Sequence, residues 1–246
     1  LSNCDLSGVS LHNVNLQNAN LKNTNLSGSD LMDSDLSGAD LENAILYGVN
    51  LRHADLKNAI LVNATLDGAN LRDTILESAD LDGASLQHAY VYKTIMVKTN
   101  STNVNAYKTN FCGQDLSHKI LTGSDLSGSD LRFTSLVYTN LSVVNLTGSD
   151  LFGSNLSGAD LSNMDLSGVN FQNANLYNVD FSESNLSGAD LRNAKLIKTI
   201  FNNTKMDNTK IFGADFSKSQ MQNFDLSNAN IVEEQDIIQN TIKNLH

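Results

Sequence analysis

The residue types that most often do chemistry are scattered along this chain. It has five histidines, and none recurs with a Ser or Cys at a spacing that would pair a nucleophile with its base. No glycine-rich loop follows a strand and opens a helix, as a phosphate-binding loop would. The sequence therefore predicts no catalytic residues and no enzyme activity. The histidines are His12, His53, His88, His118 and His246.

The two cysteines give no sign of a metal centre or a disulfide framework. Cys4 and Cys112 are separated by 108 positions and have no companion ligands at zinc-type spacing. His12 and Cys112 share a phase of the repeat described below, but they lie five repeats of 20 residues apart. We expect no metal and no cofactor, and we expect Cys4 to point inward as inert packing.

Charge limits the classes of partner. The chain carries 16 basic and 27 acidic residues, a net charge of −11, so direct binding to a phosphate backbone is not expected. No apolar run approaches the roughly 20 residues that span a bilayer. The acidic residues recur mainly at one structural phase, which indicates a structural role and not acid–base pairs.

That phase belongs to a repeat of five residues. From Leu1 to Ile231 every fifth residue is a central position, and 34 of these 47 positions are Leu. The position two before each centre is small or apolar, and the position one before it is usually Asp or Asn. In extended chain, residues two apart share a face, so the small residue and the Leu are predicted to point inward together. A period of five fits neither a plain helix nor a plain strand.

The next residues must turn a corner. All 15 glycines lie two positions after a centre, and Asn is common at the same place. Both residues tolerate the positive φ that the third residue of a type II turn needs. Glycines recur at intervals of 20 residues, as at Gly8, Gly28, Gly48 and Gly68, which predicts four sides per coil and about 12 coils.

These residues carry a resemblance to a known family. The runs LSGSD LMDSD LSGAD LENAI and LSGAD LSNMD LSGVN FQNAN resemble the pentapeptide repeat family, whose motif is A(D/N)LXX. The resemblance covers residues 1–231. It implies an all-β fold, a right-handed quadrilateral parallel β-helix, and it implies little about function.

The two ends predict a domain division. Residues 1–231 form the β-helix, and residues 232–246 are predicted to form a short C-terminal capping helix, with Ile238, Ile242 and Leu245 on one face. The chain starts with Leu1 and not Met, and no N-terminal cap is visible. We expect another segment, domain or copy to cover that edge. A homodimer through the C-terminal helix or the uncapped first coil is an alternative.

One coil departs from the pattern. Its centres include Ser101 and Ala106, and its inward positions include Gln114 and Lys119. Because a buried unpaired ammonium is costly, we expect Lys119 to reach solvent, find a partner or distort the coil. We predict a local change of turn type with a bend or loosened packing. Decay of the repeat without functional meaning is the alternative.

Outward apolar residues indicate a surface for a partner. Three successive corners are apolar, and one 20-residue track is rich in Arg and aromatic residues, a composition typical of interfaces. The predicted partner-binding residues are Phe133, Tyr138, Val143, Phe152, Arg132 and Tyr92.

Three functions are compatible with the sequence. The first is a non-catalytic interaction or scaffold module on a rigid acidic rod, with an unidentified protein partner. The second follows from the resemblance to quinolone-resistance members, whose acidic rods mimic DNA and bind type II topoisomerases. This chain lacks their projecting loops, and its stretch 91–120 is basic. The third is a rod or targeting domain of a longer secreted effector. We expect a cytoplasmic protein, with secretion as the alternative.

Overall fold

The backbone rises in regular coils of 20 residues. The computed structural model describes residues 1–96, 98–223 and 226–230. In these ranges the chain forms no helix, and its β-structure consists of single-residue parallel bridges between residues 20 apart. The first joins Asp5 to Asn25, and the last joins Lys210 to Asn230.

A regular five-residue unit bonds to the coils on both sides of it. Asn25 N–H donates to Cys4 O of the coil below at 3.0 Å. Leu26 and Gly28 donate to Ile45 O and Tyr47 O of the coil above, at 2.7 and 2.8 Å. In a regular unit three of the five backbone N–H groups bond between coils, one closes the corner and one binds an Asp or Asn side chain. A proline would therefore remove a hydrogen bond at almost any position, which accounts for its absence from the sequence.

The corners follow one rule along the rod. Every fifth residue from Asn3 to Asn223 has a positive φ, between 50° and 74°. A turn hydrogen bond closes most of the described corners, such as the one from Cys4 N–H to Leu1 O at 3.2 Å. With four corners in each 20-residue coil, the cross-section has four sides.

The predicted change of turn type near residue 100 is wrong. The corners His88, Lys93, Lys98, Lys108 and His118 keep φ values between 52° and 59°, like the regular corners. Their side chains disfavour this conformation. The hydrogen bonds of the adjoining sides impose the corner geometry on them.

The core is a column of leucines at the centre of each unit. Leu26, Leu46 and Leu66 have no exposed surface, as the repeat predicts. Most inward hydroxyls between them are bonded, because burying an unpaired hydroxyl would cost about 1–3 kcal/mol, and Ser149 is the exception among the described residues at this inward position. Thr74 Oγ1, for example, donates to Leu51 O of the coil below at 2.7 Å.

The chain beyond the last bridge cannot be compared with the prediction. The C-terminal helix predicted over 232–246 lies outside the described residues. Cys4, in contrast, is described: we expected it to point inward as inert packing, and the expected packing is wrong, because Cys4 is exposed on the first coil.

No helix in the described part of the chain has the length and apolar character needed to cross a membrane.

Candidate interaction surface

Phe133, at a corner, and the half-buried Phe152 of the next coil form an aromatic pair on the surface. Their ring centroids are 5.5 Å apart in an edge-to-face arrangement, and Phe133 remains 59% exposed. The Phe133 ring lies over the corner of the next coil, where a Cβ on Gly153 would come within 2.8 Å of it. Glycine at that corner therefore makes room for the ring.

Tyr138 occupies the next corner of the same coil. Its ring stacks on His118 at 5.7 Å between centroids and lies against Gly158 of the coil above. Although it has these contacts, Tyr138 is 64% exposed. Phe133 and Tyr138 thus border one side of the rod at its two corners.

Positive φ at these aromatic corners is strained. The φ values are 58° at Phe133 and 51° at Tyr138, in a region that costs a non-glycine residue about 1–2 kcal/mol. Every described corner has a positive φ, so this strain belongs to the repeat and does not by itself mark a functional residue.

Tyr92 and Arg132 lie on the side that carries Phe152. Arg72 and Lys93 both sit over the Tyr92 ring, with the charged group 5.6 and 5.4 Å from its centroid. Arg132 is held by Asp130, with Nη2 to Oδ2 at 2.8 Å. This ion pair raises the pKa of Arg132 and keeps the pKa of Asp130 low.

Val143 is not part of this surface. It follows Tyr138 by one corner and Phe133 by two, so it lies at the corner diagonally opposite Phe133. It is 81% exposed, but it shares no ring contact with the others. The six predicted residues therefore do not form one surface. One side of the rod carries Tyr92, Arg132 and Phe152, and Phe133 lies at the adjoining corner. The next two corners hold Tyr138 and Val143.

The pairing between coils is broken at three places in the described residues. Bridges are missing between Ile95 and Asp115, between Asn100 and Ile120, and between Asn145 and Asp165. Every other pair of described residues in these rows of bridges is joined.

A long inward side chain precedes each broken bridge. The residues directly before Asp115, Ile120 and Asp165 are Gln114, Lys119 and Met164. Elsewhere in the described chain this inward position holds Ala, Ser, Thr, Val or Cys. Because interiors are close-packed, a longer side chain in a column of small residues pushes its side of the coil away from the neighbour.

The first two breaks lie where the sequence predicted an irregular coil. Gln114 Nε2 donates to Thr94 O at 3.0 Å and so takes the acceptor that the regular backbone bond would use. The sequence did not predict the third break, because Met164 is apolar and therefore suits an inward position by polarity. Its side chain is larger than those of the other residues in this position, and that difference in volume could have indicated the break.

Ser101 and Ala106 leave this coil short of apolar volume. Both are buried at positions where Leu is usual, and Phe111 fills part of the space. The Ser101 hydroxyl is buried and has no hydrogen-bond partner. Underpacking and an unsatisfied hydroxyl both weaken the coil from 101 to 120.

The recurring carboxylates serve the backbone. Asp5 Oδ1 accepts the N–H of Ser7 at 3.0 Å, and the same bond recurs along the rod. Backbone and hydroxyl donors of Ser7 lower the pKa of Asp5, and those of Ser37 lower that of Asp35. These bonds bear out the structural interpretation of the acidic phase.

No group of three or more His, Cys, Asp or Glu side chains within the described ranges is placed to hold a metal ion. Burial raises the pKa of the Cys112 thiol, so its nucleophilic thiolate is disfavoured.

The five-residue repeat matches a known protein family. The family model for pentapeptide repeats matches eight copies, over residues 1–38, 34–73, 59–96, 107–142, 145–182 and 174–211. The chain belongs to the pentapeptide repeat family. Its fold is therefore the right-handed β-helix of that family, and the resemblance in the sequence is confirmed.

Solved structures of other pentapeptide repeat proteins are similar to this one. HetL, involved in heterocyst differentiation regulation in the cyanobacterium Nostoc sp. strain PCC 7120, is 30% identical over 92% of this chain and 86% of its own, with a TM-score of 0.40. QnrB1, a plasmid-mediated fluoroquinolone resistance protein, is 17% identical over 98% and 97%, with a TM-score of 0.44. A thylakoid lumen protein of Arabidopsis thaliana is 28% identical over 54% and 78%, with a TM-score of 0.34. No curated protein sequence matches the chain.

Proposed function

We propose that this pentapeptide repeat protein is a non-catalytic interaction module that presents aromatic side chains to a protein partner from a rigid rod. The rod has about 12 coils in this proposal, and residues 232–246 cap it with a helix. The observation that carries the proposal is the edge-to-face pair in which the half-buried Phe152 supports the exposed Phe133 ring.

The energetics of such a pair favour binding. Aromatic side chains and Arg dominate interface energies, and Phe133 can bury most of its surface against a partner. Its ring is already held by Phe152, so little rotamer entropy is lost on binding. Tyr92 and Arg132 extend the surface along the same side, and Tyr138 borders the adjoining one.

Site-specific cross-linking tests the proposal. A photo-reactive phenylalanine analogue at Phe133 should cross-link one protein reproducibly, and the same analogue at Tyr47, an exposed aromatic in another track, should not. The identified partner is then purified and its affinity measured for a variant with Phe133→Ser and Phe152→Ser. We expect at least a tenfold loss of affinity with unchanged circular dichroism. An unchanged affinity would rule this surface out.

A second proposal is binding to a type II topoisomerase by mimicry of DNA. Residues 1–90 contain 12 acidic and 4 basic residues, and carboxylates stack on successive coils, as at Asp35 and Asp55. Stacked charges at the coil spacing imitate the closely spaced phosphates of a duplex. The assay is gyrase supercoiling with and without a quinolone. No effect at micromolar protein would remove this proposal.

A third proposal concerns context. The rod would serve as a spacer or targeting domain of a longer secreted effector, against our first expectation of a cytoplasmic protein. The sequence of the complete gene and fractionation of the native host decide between these two.

A further inference from the structure

The two adjacent breaks in the coil pairing open a groove in the side of the rod. Its volume is about 800 Å³, within the range of roughly 300–1,000 Å³ usual for small-molecule sites. It lies between residues 93–96 and 98–100 of one coil and residues 114–120 of the next. The lining residues that carry charge are Lys93, Lys98, Lys119, His118 and Asp115.

Backbone donors point along the upper edge of this groove. In the regular coils, the residues equivalent to Asp115 and Ile120 donate their N–H groups to the coil below, as Ser135 does to Gln114 O and Asn140 does to Lys119 O, both at 2.9 Å. Among the described residues no backbone bond joins Asp115 N–H or Ile120 N–H to the coil below. Two N–H groups are therefore available to an acceptor.

The charge of the groove is opposite to that of the rod. Three lysines face one carboxylate, in a protein with a net charge of −11. None of the ion pairs of the described residues involves Lys93, Lys98 or Lys119. Asp115 is occupied in part, because its Oδ1 accepts the N–H of Ser117 at 3.0 Å.

Lys119 is the central observation. Its side chain is only 9% exposed, it lines the groove, and no hydrogen bond or ion pair is formed by its ammonium group in the described structure. Burial lowers the pKa of Lys119, and nearby Asp115 offsets this only in part. Partial burial of a cation without a partner is unfavourable, and an anion beside it would offset that cost.

We propose that this groove is a binding site for a small oxyanion, a phosphate or carboxylate group, held by Lys119 and Lys98 with the free N–H groups of Asp115 and Ile120. Lys93 adds charge from the other corner. The apolar side chains of Ile95, Met96 and Ile120 line the same groove and suit an organic skeleton that bears the anion. This site is independent of the aromatic pair on which the proposed interaction function rests.

The test is a titration of ¹⁵N-labelled protein with inorganic phosphate and, separately, with succinate, followed by NMR. We expect saturable shifts of the Asp115 and Ile120 amides that weaken with added salt. A response to both anions assigns the site to oxyanions in general, and a response to one assigns it to that class.

Matched variants show whether Lys98 and Lys119 are responsible for anion binding. K98M/K119M and the control K205M/K218M each change the net charge from −11 to −13, and Lys98 and Lys218 occupy the same corner track. We expect at least tenfold weaker binding in the first and wild-type binding in the control. K98M alone, which leaves the inward column intact, should weaken binding severalfold.

The proposal is overturned by any of three results. These are no saturable shift with either anion, equal affinity of both double variants, or shifts centred on the basic stretch 191–218 instead of the groove.

Discussion

Replacing Lys119 with Thr should repair one of the broken bridges. The same inward column holds Thr99 one coil below and Thr139 one coil above. Their hydroxyls donate to Leu76 O and Leu116 O at 2.7 and 2.8 Å. A threonine at 119 would fit the column and donate to Met96 O in the same way.

The expected gain follows from the bonds that become possible. The hydroxyl bond is joined by two backbone bonds, from Ile120 N–H to Thr99 O and from Ser101 N–H to Ile120 O. At about 1 kcal/mol each, the three bonds contribute about 3 kcal/mol. Removal of the partly buried ammonium adds to this, and loss of the packed lysine methylenes subtracts from it. We expect the local opening free energy to rise by about 2–3 kcal/mol.

Native-state hydrogen exchange is the appropriate assay, since a long repeat array can unfold in parts. The Ile120 and Ser101 amides should exchange about 30- to 160-fold more slowly in the variant, while the Asn140 amide, already bonded to Lys119 O, serves as reference. K205T removes the same charge from an exposed position and should change neither amide. Unchanged exchange at Ile120 in Lys119→Thr would refute the claim that the lysine opens the coil.

The advantage of the threonine variant should also depend on pH. Because the folded-state pKa of Lys119 is below 10.5, the unfolded chain binds more protons between these two values, and wild-type stability rises with pH there. The destabilisation that charged Lys119 causes is complete below its folded-state pKa, and it is lost as pH approaches 10.5. The stability advantage of the threonine variant should therefore fall as pH rises. Lys93, Lys98, His118 and Asp115 also face the groove but are present in both proteins, so the difference between the two unfolding curves isolates Lys119.

Two further matched pairs of variants test the packing. Ser101→Ala should raise the free energy of unfolding by about 1 kcal/mol, because the buried Ser101 hydroxyl is unpaired. Ser129→Ala removes a bonded hydroxyl and should lower it. Urea titration compares the two variants, and a lower stability for Ser101→Ala would contradict the claim that its hydroxyl is unpaired. Gly158→Ala and Gly148→Ala both place a side chain at positive φ, but only the first meets the Tyr138 ring. We expect both to lose about 1 kcal/mol and Gly158→Ala to lose more, with a shift of the Tyr138 ring resonances; equal losses would show that Tyr138 does not lie over this corner.

Much of the fold could be predicted from the sequence because each structural demand falls within five residues. Leu26 is buried, Gly28 turns a corner and Asp5 binds the N–H of Ser7 for reasons that are local and repeat without slip. Even the irregular coil was visible, since Gln114 and Lys119 are too polar for an inward position.

The candidate site was less predictable, because it depends on the volumes of inward side chains and on the direction in which each corner residue faces. Met164 suits an inward position by polarity but is too long for it, a conflict that exists only once the width of the column is known. Val143 follows Tyr138 in the repeat and faces another direction, because each corner turns the chain onto a new side.

The sequence alone determined the period, the identity of the inward residues and the reversal of charge near residue 100. The tertiary structure decided which neighbours meet: that Phe133 rests on Phe152, and that two overlong side chains in adjacent units leave backbone donors unpaired beside a buried lysine. The physical reason is that contacts across coils join residues 20 apart, so their fit depends on the stacking of whole coils and not on any single repeat.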